Sequence, residues 1–210
     1  MIYMAKSIEQ LNSMQLDVLK EMGNIGAGNA VTALSKMLNK KVDMSVPKAQ
    51  ILEFKFVADL LGGADNLVIG ILFDMTGDLS GSIMFILEQK YAHVLVNMLM
   101  GKEIDDITGF SEMAISALKE IGNILVGSYV SSLSTLTNLK LTPSIPDLTI
   151  DMAGAILSVP AIEFGKVGDT VLFIETEFLD DQYAVVGNFF LVPDIASYDI
   201  LLRALGVMDE

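Results

Sequence analysis

Residues 16–35 read LDVLKEMGNIGAGNAVTALS, and residues 115–134 read ISALKEIGNILVGSYVSSLS. Laid over one another at an offset of 99, the two stretches agree at 10 of 20 positions. Some of the matches are apolar, such as Leu19/Leu118, Val31/Val130 and Leu34/Leu133, and a duplicated core explains them. Others are Glu21/Glu120 and Asn24/Asn123, which a core gives no reason to repeat. At the same offset Asp17 stands against Ser116 and Pro47 against Pro146, and both Asn-to-Pro gaps hold 22 residues. The two stretches point to a duplicated fold and to a candidate site written twice.

Outward from these stretches the correspondence continues. A helical pattern runs over about 12–40 and again over about 111–138, with Asn12 or Ser13 able to cap the first. Extended segments 49–57 and 148–157 follow the two prolines. Hairpin candidates then appear at 67–75 with 79–87 and at 170–178 with 183–192, turning at 76–78 and 180–182. Each half closes with a short amphipathic helix, 89–100 or 194–205, stopped by Gly101 or Gly206. The order helix, three strands, helix, written twice, predicts an α/β chain of the α+β type. It is expected to be a pseudo-twofold internal repeat. Two long helices would pack on an antiparallel sheet built from two three-stranded halves, with the strands pairing inside each half. A single domain over residues 1–210 is expected, made of half-repeats at about 12–101 and 111–206. Roughly 100 residues per half form only a thin layer, and no Pro-, Ser- or charge-rich linker parts the halves.

Composition narrows the function. Apolar residues make up 52% of the 210 residues, yet Gly, Asn, Asp and Lys interrupt every run before it reaches the roughly 18–20 residues of a membrane span. The first ten residues lack the apolar core of a signal peptide. There is no cysteine, so disulfide and thiolate chemistry are excluded. The expectation is a soluble cytoplasmic protein. The formal charge is −14, with 27 acids, 13 bases and Arg203 as the lone arginine. That balance argues against nucleic acid and anionic membrane as partners and would steer in a partner carrying exposed positive charge.

On a helix at about 100° per residue, Asp17, Glu21, Asn24 and Gly28 fall within roughly 60° of one another. Opposite them lie Gln15, Leu19, Met22, Gly26, Ala30, Ala33 and Met37, mostly the face a core would take. The second copy repeats this, with Ser116, Glu120, Asn123 and Gly127 opposing Leu118, Ile121, Leu125, Tyr129 and Leu136. Glycine costs roughly 1 kcal/mol in a helix relative to alanine. Its recurrence on the stripe suggests a close approach there, either inside the fold or with a partner. Asn both donates and accepts, so it can hold and aim a water. Glu can pair with a lysine of a substrate or partner, or act as a base. No His, Cys or Arg stands nearby to activate a nucleophile, and one carboxylate with one amide is too small a ligand set for a metal. The site reads as incomplete, as it would if its substrate brought the metal and the cations.

The pattern Asp/Ser-x3-Glu-x2-Asn-x22-Pro in two copies resembles the signature of the CheC-type chemotaxis phosphatases, whose relatives include CheX and FliY. The resemblance covers nearly the whole chain, and both copies match at every position and spacing. It implies a hydrolase acting on the aspartyl phosphate of the response regulator CheY, with Glu21 and Glu120 contacting the regulator's active-site lysine. Asn24 and Asn123 would position the attacking water, giving four catalytic residues. Asp17, Ser116, Pro47 and Pro146 belong to the signature without an assigned chemistry. No cofactor is implied for the chain itself, because Mg²⁺ would be carried by the regulator. CheD, a receptor-modifying deamidase, is a further implied partner for which no motif stands in this sequence.

The alternative is a non-catalytic interaction module, either a CheD-binding regulator or a flagellar-switch scaffold of the same fold. The intact Glu/Asn pairs favour the enzyme, and the end at Glu210 leaves an added switch domain unexpected. A duplicated fold with no remaining activity is the third reading. Other signals point elsewhere. Gly23-Asn-Ile-Gly26-Ala-Gly28 fails the dinucleotide pattern because Val31 occupies the third glycine position. His93 is not repeated and reads as a packing or surface residue. Asp105-Asp106 and Asp180-Asp181 read as turn acids, and the 13 methionines as core.

Overall fold

The computed structural model describes residues 13–39, 41–100, 109–164, 170–179 and 184–204. Its elements are α1 (Ser13–Leu38), β1 (Asp43–Glu53), a 3-10 turn (Phe54–Phe56), α2 (Val57–Leu60), β2 (Leu67–Gly77), β3 (Gly81–Glu88) and α3 (Gln89–Met100) in the first half. The second half contributes α4 (Glu112–Thr137), β4 (Leu141–Pro143), β5 (Asp147–Met152), α5 (Ala153–Phe164), β6 (Thr170–Leu179), β7 (Ala184–Pro193) and α6 (Ile195–Ala204). Both long helices have 26 residues, in agreement with the expected repeat. Each is followed by an asparagine in the left-handed region, Asn39 at φ 49° and Asn138 at φ 57°. Asparagine tolerates that conformation, and it ends both helices at the same repeat position. Ser111 caps α4, its Oγ accepting the Ala114 N–H at 3.2 Å.

All seven strands belong to one antiparallel sheet in the order β1-β6-β7-β3-β2, with β4 and β5 both pairing β2 at the far edge. The hairpins β2–β3 and β6–β7 pair within their halves as expected. The first strands do not. β1 runs beside β6, and β5 runs beside β2, so each half lends its opening strand to the other half's hairpin. The sheet does have two halves three strands wide, β4 and β5 sharing one edge position beside β2, but each half mixes the two repeats. β3 and β7 join them at the centre, and the strand order reads as the same sequence of repeat units from either edge.

Both faces of the sheet are covered. On one, α1, α3 and α4 pack over Ile69, Ile71, Phe73, Ile83, Phe85, Ile174 and Phe189. On the other, Val57 and Leu61 around α2, and Ala153 and Leu157 of α5, cover Val68, Met84, Ile86, Val171, Phe173 and Phe190. Side chains of adjacent strand residues alternate between the two faces, so a sheet buried on both sides reads as a continuous apolar run. The second cover layer corrects the sequence reading. Segments 49–57 and 148–157 were expected to be extended throughout, but each strand ends early and passes into a helix, at Val57 and at Ala153. The α5 sequence AGAILSVPAIEF is apolar all round, so it carries no 3.6-residue stripe, and it contains Pro160. The apolar face of the sheet selects the helix there. The caps expected at Asn12, Gly101 and Gly206, and the turns at 180–182 and 105–106, lie outside the described residues.

The long helices touch both the sheet and each other. A Cβ on Gly23 would stand 3.2 Å from Val46 and 3.6 Å from Ile174, and one on Gly122 would stand 3.1 Å from Ile71. Ile71 and Ile174 are the fifth residues of β2 and β6, so both helices press on the same repeat position of a hairpin. Between the helices, a Cβ on Gly26 would meet the Tyr129 backbone at 3.2 Å. Tyr129 reaches down to the sheet, its hydroxyl 2.9 Å from Thr176 Oγ1.

Candidate functional site

The helix stripes face outward, as the 100° projection requires. Asp17, Glu21, Asn24 and Gly28 are exposed on α1, while Leu19, Met22, Gly26 and Ala30 are buried beneath them. On α4, Ser116, Glu120 and Asn123 are exposed and Gly127 is half-buried, over buried Leu118, Ile121, Leu125 and Tyr129. Leu136 departs from the expected core face. It is 45% exposed in the last turn of α4, where the helix runs out over the short strand β4. Among the described residues the glycines of the stripe serve no close approach, because a Cβ on Gly28 or Gly127 would meet nothing within 4 Å.

The two copies hold their asparagines differently. In the first, Asn24 Oδ1 accepts the Val46 N–H of β1 at 3.3 Å. A backbone N–H can only donate, so this contact decides which end of the carboxamide faces the strand. In the second, Asn123 Nδ2 donates to Glu120 Oε2 at 3.4 Å, across one helical turn. The i, i+3 spacing makes that pair neighbours on the helix surface. Ser116 and Asp17 lie one turn before the glutamates, with no cation drawn to either in an ion pair among the described residues. Pro47 lies within β1, and Pro146 sits between β4 and β5. The prolines thus interrupt the strands beside the stripes.

Each stripe is therefore a pair of exposed groups on a rigid two-layer base. A carboxylate stands ready for a cationic partner group, and a carboxamide whose orientation is set by a neighbour stands one turn away. The sequence reading did not single out Val46 or the Tyr129–Thr176 pair. The X-Pro dipeptide at equal distance from each Asn was the available sign of Val46. Nothing in the sequence marks Thr176, which meets Tyr129 only through sheet pairing. His93 is buried and stacks on Phe110 with ring centroids 4.2 Å apart, a packing residue as read. Among the described residues no helix is long and apolar enough to cross a membrane.

The CheC-like family matches over residues 14–51 and 113–150, two windows separated by the repeat offset that each run from the long helix past the motif proline. The chain is 41% identical over 196 residues to the CheY-P phosphatase CheC of Bacillus subtilis (strain 168), covering 91% of this chain and 94% of that protein. It is 31% identical over 142 residues to the flagellar motor switch phosphatase FliY of the same organism, covering 66% of this chain and 36% of that protein. Among solved structures, Thermotoga maritima FliY superposes with a TM-score of 0.73 at 23% identity, over 94% of this chain and 98% of that one. The FliM middle domain from H. pylori gives a TM-score of 0.65 at 13% identity over 94% of this chain and 100% of that one, which shows a shared fold only. With its doubled helix-and-strand motif and this extended identity, the chain belongs to the CheC-like family.

Proposed function

We propose that the chain is a cytoplasmic hydrolase that removes the aspartyl phosphate from a phosphorylated CheY-type response regulator. The observation carrying this reading is the pair of exposed Glu/Asn stripes in a chain 41% identical to a protein named CheY-P phosphatase. The bond that breaks joins phosphorus to the regulator's carboxyl oxygen. A water oxygen forms the new bond, its proton passes to the departing phosphate, and aspartate carboxylate and inorganic phosphate are the products. Asn24 and Asn123 orient that water by hydrogen bonding, and Glu21 and Glu120 pair with the regulator's lysine. Mg²⁺ enters with the regulator as part of the substrate. CheD, a second partner implied by the family, would be tested by direct binding of the two purified proteins.

Replacing both asparagines by alanine is the decisive experiment. With phosphorylated regulator and Mg²⁺, phosphate release stimulated by the double variant should fall about 10²–10³-fold, the usual loss for one positioned hydrogen-bonding group. Binding of the regulator should stay close to that of the unmodified chain. Unreduced turnover would remove the water-positioning role. Binding without any turnover in the unmodified chain would favour an interaction module of the same fold.

A further inference from the structure

β1 carries one residue more than its partner needs. Ser45 faces Glu177 and Lys48 faces Glu175, so Val46 and Pro47 together oppose Thr176 alone, which is a β-bulge. The second half repeats it. Ser144 is tied to Asp74, its N–H donating to Asp74 O at 2.8 Å and its hydroxyl accepting the Asp74 N–H at 3.0 Å. Asp147 faces Leu72, so Ile145 and Pro146 oppose Phe73 alone. Thr176 and Phe73 are the seventh residues of β6 and β2, so both bulges sit at one place in the repeat. We infer that the motif proline is a positioning residue: it builds a bulge that turns the preceding residue's N–H out of the ladder and onto the motif asparagine. This rests on the proposed role of Asn24 in hydrolysis.

The chemistry of proline supports each step. Proline brings no N–H to the ladder and is tolerated in sheets at edges and bulges, and β1 is an edge strand. Its ring confines the preceding residue to extended backbone, which fixes where the Val46 N–H points. With no strand on that side among the described residues, the N–H goes to Asn24 Oδ1, 3.3 Å away, and holds the carboxamide in one orientation. Val46 is 2% exposed and lies against Gly23, which keeps the bulge pressed to α1.

The second copy shows what happens when the bulge is not held. Phe73 faces the second bulge where the smaller Thr176 faces the first, and it lies 3.5 Å from where a Gly122 Cβ would be. It takes the place that Val46 fills beside Gly23. Ile145 is 85% exposed, and Asn123 rests on Glu120 instead of on the strand. The two sites thus share one device, engaged at Asn24 and disengaged at Asn123.

The test uses the full chain with Asn123→Ala, so that only the first site turns over. Adding Pro47→Ala should lower kcat roughly 10–100-fold, the scale expected for a displaced positioning contact. KM for the phosphorylated regulator should stay within about twofold, and the side-chain amide resonances of Asn24 should shift in an NMR spectrum. Unchanged kcat with unmoved Asn24 resonances would overturn the inference. A second measurement avoids any change in the strand. In Asn24→Ala, hydrogen exchange at the Val46 amide should speed at least tenfold while the Leu52 amide is unaffected, and unaltered Val46 exchange would equally overturn it. If Asn24→Ala leaves turnover intact, the hydrolytic reading fails, yet the Val46 exchange and the Asn24 resonances still report on the contact.

Discussion

Tyr129 shows how much a single side chain can bind together. Its ring lies under Gly26 of the neighbouring helix, and its hydroxyl meets Thr176, which faces the Val46–Pro47 bulge. Burial raises its pKa from the ordinary 10.0 to about 12, with the Thr176 hydrogen bond pulling the other way. The folded state therefore holds the proton more tightly than the unfolded state does. This stability is fully present below pH 10 and is lost as pH rises through about 12. Comparing Tyr129→Phe with the unmodified chain by urea denaturation should show two effects. At pH 8 the variant should be destabilised by about 1–2 kcal/mol, because Thr176 loses its buried partner. Between pH 10 and about 12 the difference should shrink, since phenylalanine has no proton to lose. A difference that grows over that window would contradict the assigned cause.

The long helices owe their two faces to glycines of opposite kinds. Gly26 admits the Tyr129 backbone, and a methyl group there would stand 3.2 Å from Tyr129 Cα. Gly26→Ala should destabilise the chain by about 1–3 kcal/mol through overpacking, partly offset by better helix propensity. Gly28 and Gly127 have open space around them, so the same substitution should stabilise each helix by up to about 1 kcal/mol. If their bareness serves a docking partner, Gly28→Ala with Gly127→Ala should raise Tm and at the same time raise KM for the phosphorylated regulator. A raised Tm with unchanged KM would leave these glycines without a role in docking. Helix boundaries were readable because capping and periodicity are local. Leu136 was misplaced because its exposure depends on how far β4 extends beneath α4.

At the scale of the molecule, the exchanged first strands make each half dependent on the other. β1 completes the hairpin of the second half, and β5 completes that of the first. A fragment of residues 1–105 would leave β1 unpaired and β2 with one bare edge, and residues 106–210 would suffer the converse. Each fragment alone should lack a cooperative thermal transition by circular dichroism. An equimolar mixture should recover one, because the interface to be regained is the sheet itself. Independent folding of either fragment would show that the exchange is not needed for stability. The formal charge of −14 acts at the same scale, as a long-range field that weakens with added salt.

The sequence by itself determined the duplication, the two long helices, the hairpins and the outward stripes of Glu21/Asn24 and Glu120/Asn123. These follow from periodicity and capping, which act over a few residues, and from identity at a fixed offset. Only the tertiary structure decided which hairpin each first strand joins, because both hairpins offer the same kind of apolar run to an antiparallel partner. It also decided that residues 153–164 form a helix, since a mostly apolar segment without a stripe takes its shape from the surface it must cover. The difference between the two asparagines lay equally beyond the sequence. It arises from Thr176 and Phe73, residues remote in the chain that the exchanged strands bring opposite the motif prolines.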